Sequence, residues 1–167
     1  APLVDDGELG VDALGERARP RHPAHVRRDD GDVAQAVELV ADVETVQAAI
    51  GADGQQILDA RDAGQYTGAV ARGSRGGRIP SALHVPAKAL VNADGTWKPI
   101  EDLQAILAAS GVRADERAIA YCNGGVTATA LLFALDLTGH GNYANYDGSW
   151  NEWGERVDLP VESDAQS

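Results

Sequence analysis

The sequence predicts an α/β domain with a central parallel sheet flanked by helices. Two observations predict this class: short apolar runs alternate with helical segments along most of the chain, and glycines stand at the junctions between them. The chain has 167 residues, of which 44% are hydrophobic and 24% charged, proportions that are ordinary for one globular domain. We therefore expect a single packed core that needs no disulfide.

The first half of the predicted domain begins with a strand at 37–40. Asp42 is a suitable N-cap, and the helix that it starts is expected over 43–50, where Gly51 ends it. Four further elements follow in order: a buried strand at 56–60, a helical turn at 62–66, a glycine-rich loop at 68–77 and a short bent strand within 79–85.

The second half continues the alternation of helix and strand. An amphipathic helix is expected over 100–110, closed by Gly111, with one buried face formed by Ile100, Leu103, Ile106 and Leu107. The remaining elements are strands at 118–121 and 143–146, a helix at 127–137 and a last helical turn at 149–153.

The ends of the chain differ from this pattern. Residues 1–35 combine prolines, arginines and acidic residues with few apolar side chains, and we interpret them as a linker, an arm or the remnant of a preceding domain. The folded domain is expected over 36–162, with a tail at 163–167. His22 and His25 could be read as a metal pair, but no further ligand set accompanies them, so no metal site is predicted.

Charge and cysteine content restrict the function classes. The formal net charge is −12, which argues against nucleic acid and anionic membranes as partners, because both attract basic surfaces. The single cysteine, Cys122, excludes an intrachain disulfide and fits a reducing compartment, so a cytoplasmic location is expected.

The most informative segment is 118–135, which carries no charged residue. A predicted strand leads into Cys122, the pair Gly124 and Gly125 allows a tight turn, and a helix follows. Backbone N–H groups of such a turn and the start of a helix favour bound anions, and cysteines in such surroundings are typically ionised near neutral pH. This position predicts a nucleophile that needs no histidine partner. The alternative is a small buried apolar cysteine at a strand end.

This arrangement resembles the active-site loop of the rhodanese family of sulfurtransferases. Similar family features are LDAR at 58–61, QYTG at 65–68, GRIPSALHVP at 77–86, NADGTWK at 92–98 and YDGSWNEW at 146–153. Together they resemble the catalytic domain of thiosulfate and 3-mercaptopyruvate sulfurtransferases over about residues 37–162.

The resemblance implies a persulfide mechanism without metal or cofactor. Cys122 would take a sulfur atom from a small anionic donor, and cyanide or a thiol would then remove it. The backbone N–H groups of the loop would hold the terminal sulfur, which makes five residues substrate-binding candidates: Asn123, Gly124, Gly125, Val126 and Thr127.

Two departures from the family concern the donor. Thiosulfate-type members often place a basic side chain inside the loop, whereas the neutral loop here looks more like that of mercaptopyruvate-type enzymes. Both types usually carry an arginine at the position of Gln65. Arg72, Arg75 and Arg78 are predicted to replace it by binding the anion, unless they are ordinary surface charges. Arg61, beside Asp59 at a strand end, is expected to support the loop structurally through a carboxylate or backbone carbonyls.

Two rival functions remain open at this point. A cysteine phosphatase or arsenate reductase would need an arginine six residues after the cysteine, where this chain has Ala128. A non-catalytic rhodanese-like binding or regulatory module is the second rival, although inactive family domains usually lack the cysteine.

Overall fold

The computed structural model describes residues 39–165, which form a five-stranded parallel sheet with helices on both faces. In chain order the elements are β1 (Val40–Ala41), α1 (Val43–Ala49), β2 (Gln55–Asp59), α2 (Ala63–Thr67), β3 (Leu83–His84), a 3₁₀ helix (Ala87–Leu90), α3 (Ile100–Ala109), β4 (Arg117–Tyr121), α4 (Ala128–Leu137), β5 (Tyr143–Tyr146) and α5 (Ser149–Trp153). The strand order is β1-β5-β4-β2-β3, and every pairing is parallel.

The alternation of side chains along the strands divides the core into two layers. Ile57 and Ile119 face the layer that contains α1 and α5, whereas Leu58 and Ala120 face the layer that contains α3 and α4. β2 and β4 are covered on both faces, so β4 is apolar at four of its five residues, and β2 places the apolar pair Ile57 and Leu58 between polar ends. This explains why both strands are recognisable in the sequence.

The predicted α/β class and its parallel sheet are confirmed, and the boundaries agree closely. The Asp42 side chain accepts a hydrogen bond from the Thr45 N–H at 2.8 Å, so it caps α1 as expected. The prediction for Ile100 was wrong: it is 47% exposed, because the first turn of α3 lies beyond the layer that Leu103 and Leu107 fill. Residues 1–38, which include the whole of the predicted linker and both candidate metal ligands, lie outside the described part.

The C-terminal segment packs along the loops that follow β2. Thr67 O accepts hydrogen bonds from the Asp164 N–H at 2.9 Å and the Ser163 hydroxyl at 3.2 Å. Arg78 forms a bridge with Glu162 through their backbones. The packed region therefore continues past residue 162, where the sequence placed the beginning of a tail.

Within residues 39–165, no helix is long and apolar enough to cross a membrane. The same part of the chain contains no group of three or more His, Cys, Asp or Glu side chains arranged to hold a metal ion.

Candidate active site

The site forms where β4 ends at the carboxyl edge of the sheet. Tyr121, the last residue of β4, lies beside Asp59, the last residue of β2, and Cys122 follows. Ligands of open α/β sheets bind at this edge. We call residues 122–127 the Cys122 loop. Cys122 is 3% exposed, whereas Gly124 and Val126 are exposed, so the thiol lies at the bottom of the loop.

The first turn of α5 fixes the Cys122 loop through four hydrogen bonds. The N–H groups of Trp150 and Asn151 donate to the Cys122 and Asn123 carbonyls at 3.0 and 2.8 Å. The Ser149 hydroxyl accepts from the Cys122 and Gly125 N–H groups at 3.1 and 3.0 Å. The first two carbonyls of the loop are thereby held toward α5. Both carbonyl oxygens therefore already accept hydrogen bonds, which offset their partial negative charge.

These bonds correct one part of the predicted sulfur-binding set. The Gly125 N–H is donated to Ser149 and is not available to a substrate. Among the residues that the structure describes, the amides of Asn123, Gly124, Val126 and Thr127 have no hydrogen-bond acceptor. Four of the five predicted amides therefore remain candidates.

The two glycines of the loop have different reasons to be glycine. Gly125 has φ +78°, and a Cβ there would lie 2.9 Å from the Asp147 carbonyl oxygen, so both its conformation and its space require glycine. Gly124 does not have a positive φ, and a Cβ there would meet only the flexible Asn151 side chain, 3.1 Å from its Nδ2. A side chain is therefore tolerated at position 124 and excluded at 125.

A buried polar network joins the ends of β2 and β4 next to the Cys122 loop. Arg61 donates to both carboxylate oxygens of Asp59 at 2.6–3.1 Å and to the Gly77 carbonyl at 2.7 Å, which are the contacts predicted for it. The Tyr121 hydroxyl donates to Asp59 Oδ2 at 2.6 Å. Burial, together with the Asp59 charge, raises the pKa of Tyr121 well above its usual range, so the phenol keeps its proton.

The Arg61 guanidinium also stacks on the Trp150 ring, with 4.3 Å between its carbon and the ring centroid. Trp150 is almost fully buried and follows Ser149 in the turn that holds the loop. Through Arg61, the Arg61–Asp59 pair therefore contacts the same turn that fixes Cys122.

The three predicted anion-binding arginines have three different environments. The Arg75 guanidinium donates to the carbonyls of four residues that end or follow α5: Trp153, Gly154, Arg156 and Leu159. Arg78 is 7% exposed and pairs with Glu162 at 2.5 Å and Asp164 at 2.9 Å. Carbonyls or carboxylates accept from most of the N–H donors of both guanidinium groups, so these contacts do not support the predicted anion-binding role of Arg75 and Arg78. Arg72 is exposed and has no partner among the described residues.

Comparison with known proteins identifies the family. The profile of the rhodanese-like domain matches residues 42–156, more than half of the chain. The chain belongs to the rhodanese-like domain family. This confirms the resemblance on which the sequence analysis relied.

Two relatives of this rhodanese-like domain illustrate the similarity. The 3-mercaptopyruvate sulfurtransferase of Escherichia coli K12 is 42% identical over 128 residues, which cover 75% of this chain and 45% of that protein. A protein of Haloferax volcanii named "Putative thiosulfate sulfurtransferase" is 39% identical over 117 residues, 65% of this chain and 41% of that protein. The chain thus spans less than half the length of these relatives.

A solved structure shows the same fold. The anaerobic ergothioneine biosynthesis enzyme from Chlorobium limicola superposes with a TM-score of 0.70 at 24% identity, over 75% of this chain and 32% of that one. At this identity the similarity concerns the rhodanese-like fold alone.

Ser149 and Trp150 were not predicted to be parts of this rhodanese-like site. Both were placed in the last helical turn, but their contact with the Cys122 loop was not anticipated. One signal was present in the sequence: a serine and a tryptophan directly after Gly148, at the carboxyl edge of the strand beside β4.

Proposed function

We propose that this domain is a rhodanese-type sulfurtransferase in which Cys122 carries a sulfane sulfur from thiosulfate or 3-mercaptopyruvate to cyanide or a thiol. The observation that carries this proposal is the Cys122 loop, in which four amides have no acceptor among the described residues and the first two carbonyls already accept hydrogen bonds. The sulfurtransferase names of the relatives support the same reaction class.

The proposed reaction has two displacement steps. The Cys122 thiolate attacks the outer sulfur of the donor, an S–S bond forms, and the bond between that sulfur and the rest of the donor breaks. Sulfite leaves from thiosulfate, and pyruvate, after taking a proton at carbon, leaves from 3-mercaptopyruvate. Cyanide or a thiolate then attacks the terminal sulfur of the persulfide and restores Cys122. The free amides stabilise the negative charge on sulfur at each stage, without a metal or cofactor.

We further propose that 3-mercaptopyruvate is the better donor. Thiosulfate is a compact dianion whose charge comes directly against the loop, and residues 122–128 contain no cationic side chain. Mercaptopyruvate carries its carboxylate several bonds from the transferred sulfur. Arg72, the arginine of the predicted patch that has no described partner, is the candidate for that carboxylate.

The decisive experiment is the replacement of Cys122 by serine. Cys122→Ser should abolish transfer to cyanide and change the free energy of unfolding by no more than about 1–2 kcal/mol, because the change is nearly isosteric. The intact mass of the parent protein after incubation with donor should increase by one sulfur atom, and cyanide should remove it. Turnover by the serine variant, or a parent protein that never gains sulfur, would refute the proposal and favour a binding module.

Donor choice is tested by adding a cation to the loop. Gly124→Lys is compatible with the backbone and should raise kcat/KM for thiosulfate relative to mercaptopyruvate about tenfold, since a charge-assisted contact contributes roughly 1.5–3 kcal/mol. Gly141→Lys is the matched control, because it adds the same charge in open space just before β5, at the opposite edge of the sheet. A parent protein that strongly prefers thiosulfate would contradict the argument from charge.

A further inference from the structure

Ser149 has an unusual backbone for its residue type. Its φ is +50°, a left-handed conformation that glycine adopts easily and that a Cβ disfavours. Glycine would adopt this conformation without strain, yet the chain has serine here, directly after Gly148. Ser149 is fully buried, and a strained residue of this kind persists where the surrounding structure makes use of it.

All hydrogen-bonding capacity of the Ser149 hydroxyl is used. A hydroxyl has one O–H donor and two acceptor lone pairs. The donor goes to the Tyr146 carbonyl at 2.7 Å, and the lone pairs accept from the N–H groups of Cys122 and Gly125. Because the Tyr146 carbonyl at the end of β5 fixes the hydroxyl hydrogen, both lone pairs face the Cys122 loop.

We propose that Ser149 is a positioning residue whose hydroxyl withdraws the Cys122 and Gly125 amides from the sulfur. The sulfur is then left with the amides of Asn123, Gly124, Val126 and Thr127 alone. This inference rests on the proposed function for its role in catalysis, but the hydrogen bonds of the Ser149 hydroxyl to the loop do not depend on it. Ser149 acts through the loop and does not itself touch the substrate.

The consequence of removing the hydroxyl follows from the burial of the two amides. The Cys122 and Gly125 N–H groups would lose their acceptor in a place that water does not reach, and unpaired buried donors are unfavourable. The loop would rotate to satisfy them, and the positions of the other amides, on which the proposed sulfur binding depends, would change with it. The thiolate and the persulfide anion would both be less stabilised.

The test compares two serines that share a positive φ. Ser149→Gly removes the hydroxyl and relieves the backbone conformation. Ser81→Gly does the same at φ +63°, before β3, where the Ser81 hydroxyl accepts only from the Gly51 N–H at 3.2 Å. For each variant we would measure kcat and KM for sulfur transfer, the thermal midpoint, and the rate of Cys122 alkylation by iodoacetamide from pH 5 to 10.

Ser149→Gly should lower kcat about tenfold, leave KM within about twofold, and move the pH–rate profile of alkylation to higher pH, as expected for the loss of two hydrogen bonds that orient the loop. Ser81→Gly should change none of these. Ser149→Ala, which keeps the Cβ, should reproduce the loss of kcat with a lower thermal midpoint.

Three results would overturn the proposal: an unchanged or lowered alkylation profile in Ser149→Gly, an equal effect of Ser81→Gly, or failure of both Ser149 variants to fold, which would make the role purely structural. If the parent protein transfers no sulfur, the proposed function fails, but the alkylation profile still decides the role of Ser149.

Discussion

The Cys122 loop and the Gly-rich loop at 68–77 are both irregular, both contain several glycines, and both are anchored on the stretch from Ser149 to Leu159. The anchors differ in kind. The Cys122 loop is held by backbone groups and one serine hydroxyl. The Gly-rich loop is held by the long side chain of Arg75, which reaches carbonyls at the end of α5 and beyond.

The difference in anchoring corresponds to a difference in the chemical group that each loop would offer to a substrate. Under the proposed function, the functional groups of the Cys122 loop are its amides, which requires the carbonyls to be held away from the sulfur. In the Gly-rich loop the exposed cation is Arg72, whose proposed role requires only that the backbone be held in place. One arginine anchors this loop and another remains exposed.

Trp150 connects the two loops. Its backbone N–H donates to the Cys122 carbonyl at 3.0 Å, and its indole N–H donates to the Arg75 carbonyl at 3.3 Å. Whether the loops are energetically independent can therefore be tested by removing the anchor of one and observing the other.

The largest effect is expected from removing the Arg75 anchor. Arg75→Met should lower the free energy of unfolding by about 2–4 kcal/mol, because hydrogen bonds from a charged donor to four partly buried carbonyls are lost. The rate of Cys122 alkylation in the folded protein should change less than twofold, because the four bonds between α5 and the Cys122 loop remain. Chemical denaturation and alkylation measure the two quantities. A large change in alkylation would show that Trp150 couples the loops.

A smaller effect is expected from the exposed arginine of the Gly-rich loop. Arg72→Gln should raise KM for an anionic donor a few-fold and flatten its dependence on salt, with little change in kcat, since exposed charges act within a Debye length of about 8 Å at physiological ionic strength. Arg113→Gln is the matched control, because Arg113 is also exposed but precedes β4 at the opposite edge of the sheet. Equal KM values for the two variants would make Arg72 an ordinary surface charge.

The two loops also differ in how far the sequence predicts them. The strand–glycine–helix pattern around Cys122 is local, and burial of β4 on both faces produces an apolar run that is visible in the sequence. The bounds of β5 and α5 were also predicted to the residue.

The arginines were less predictable because their partners are distant in the chain. Arg75 bonds carbonyls 78–84 residues away, and backbone carbonyls leave no trace in a charge pattern. Arg75 and Arg72 therefore look alike in the sequence although one is an anchor and the other is exposed. Ser149 was missed for a related reason, since its partners lie 24 and 27 residues earlier.

The smallest expected effect is a difference in acid sensitivity between the loops. The Ser74 N–H in the Gly-rich loop donates to the Glu155 carboxylate at 3.0 Å, and this bond holds the pKa of Glu155 below its usual value of 4.5. Because the pKa of Glu155 is lower in the folded than in the unfolded protein, the bond contributes stability above the unfolded-state pKa. That contribution is lost as the pH falls through the folded-state pKa.

No described carboxylate accepts a hydrogen bond from an amide of the Cys122 loop. Relative to its intrinsic rate, hydrogen exchange of the Ser74 amide should therefore accelerate as the pH falls through the lowered pKa of Glu155, whereas that of Gly125 should follow only the intrinsic pH dependence. Glu155→Gln should abolish this acid-dependent step at Ser74, and Glu101→Gln, an exposed control in α3, should leave it unchanged; a matching step at Gly125 would mean that acid loosens both loops together.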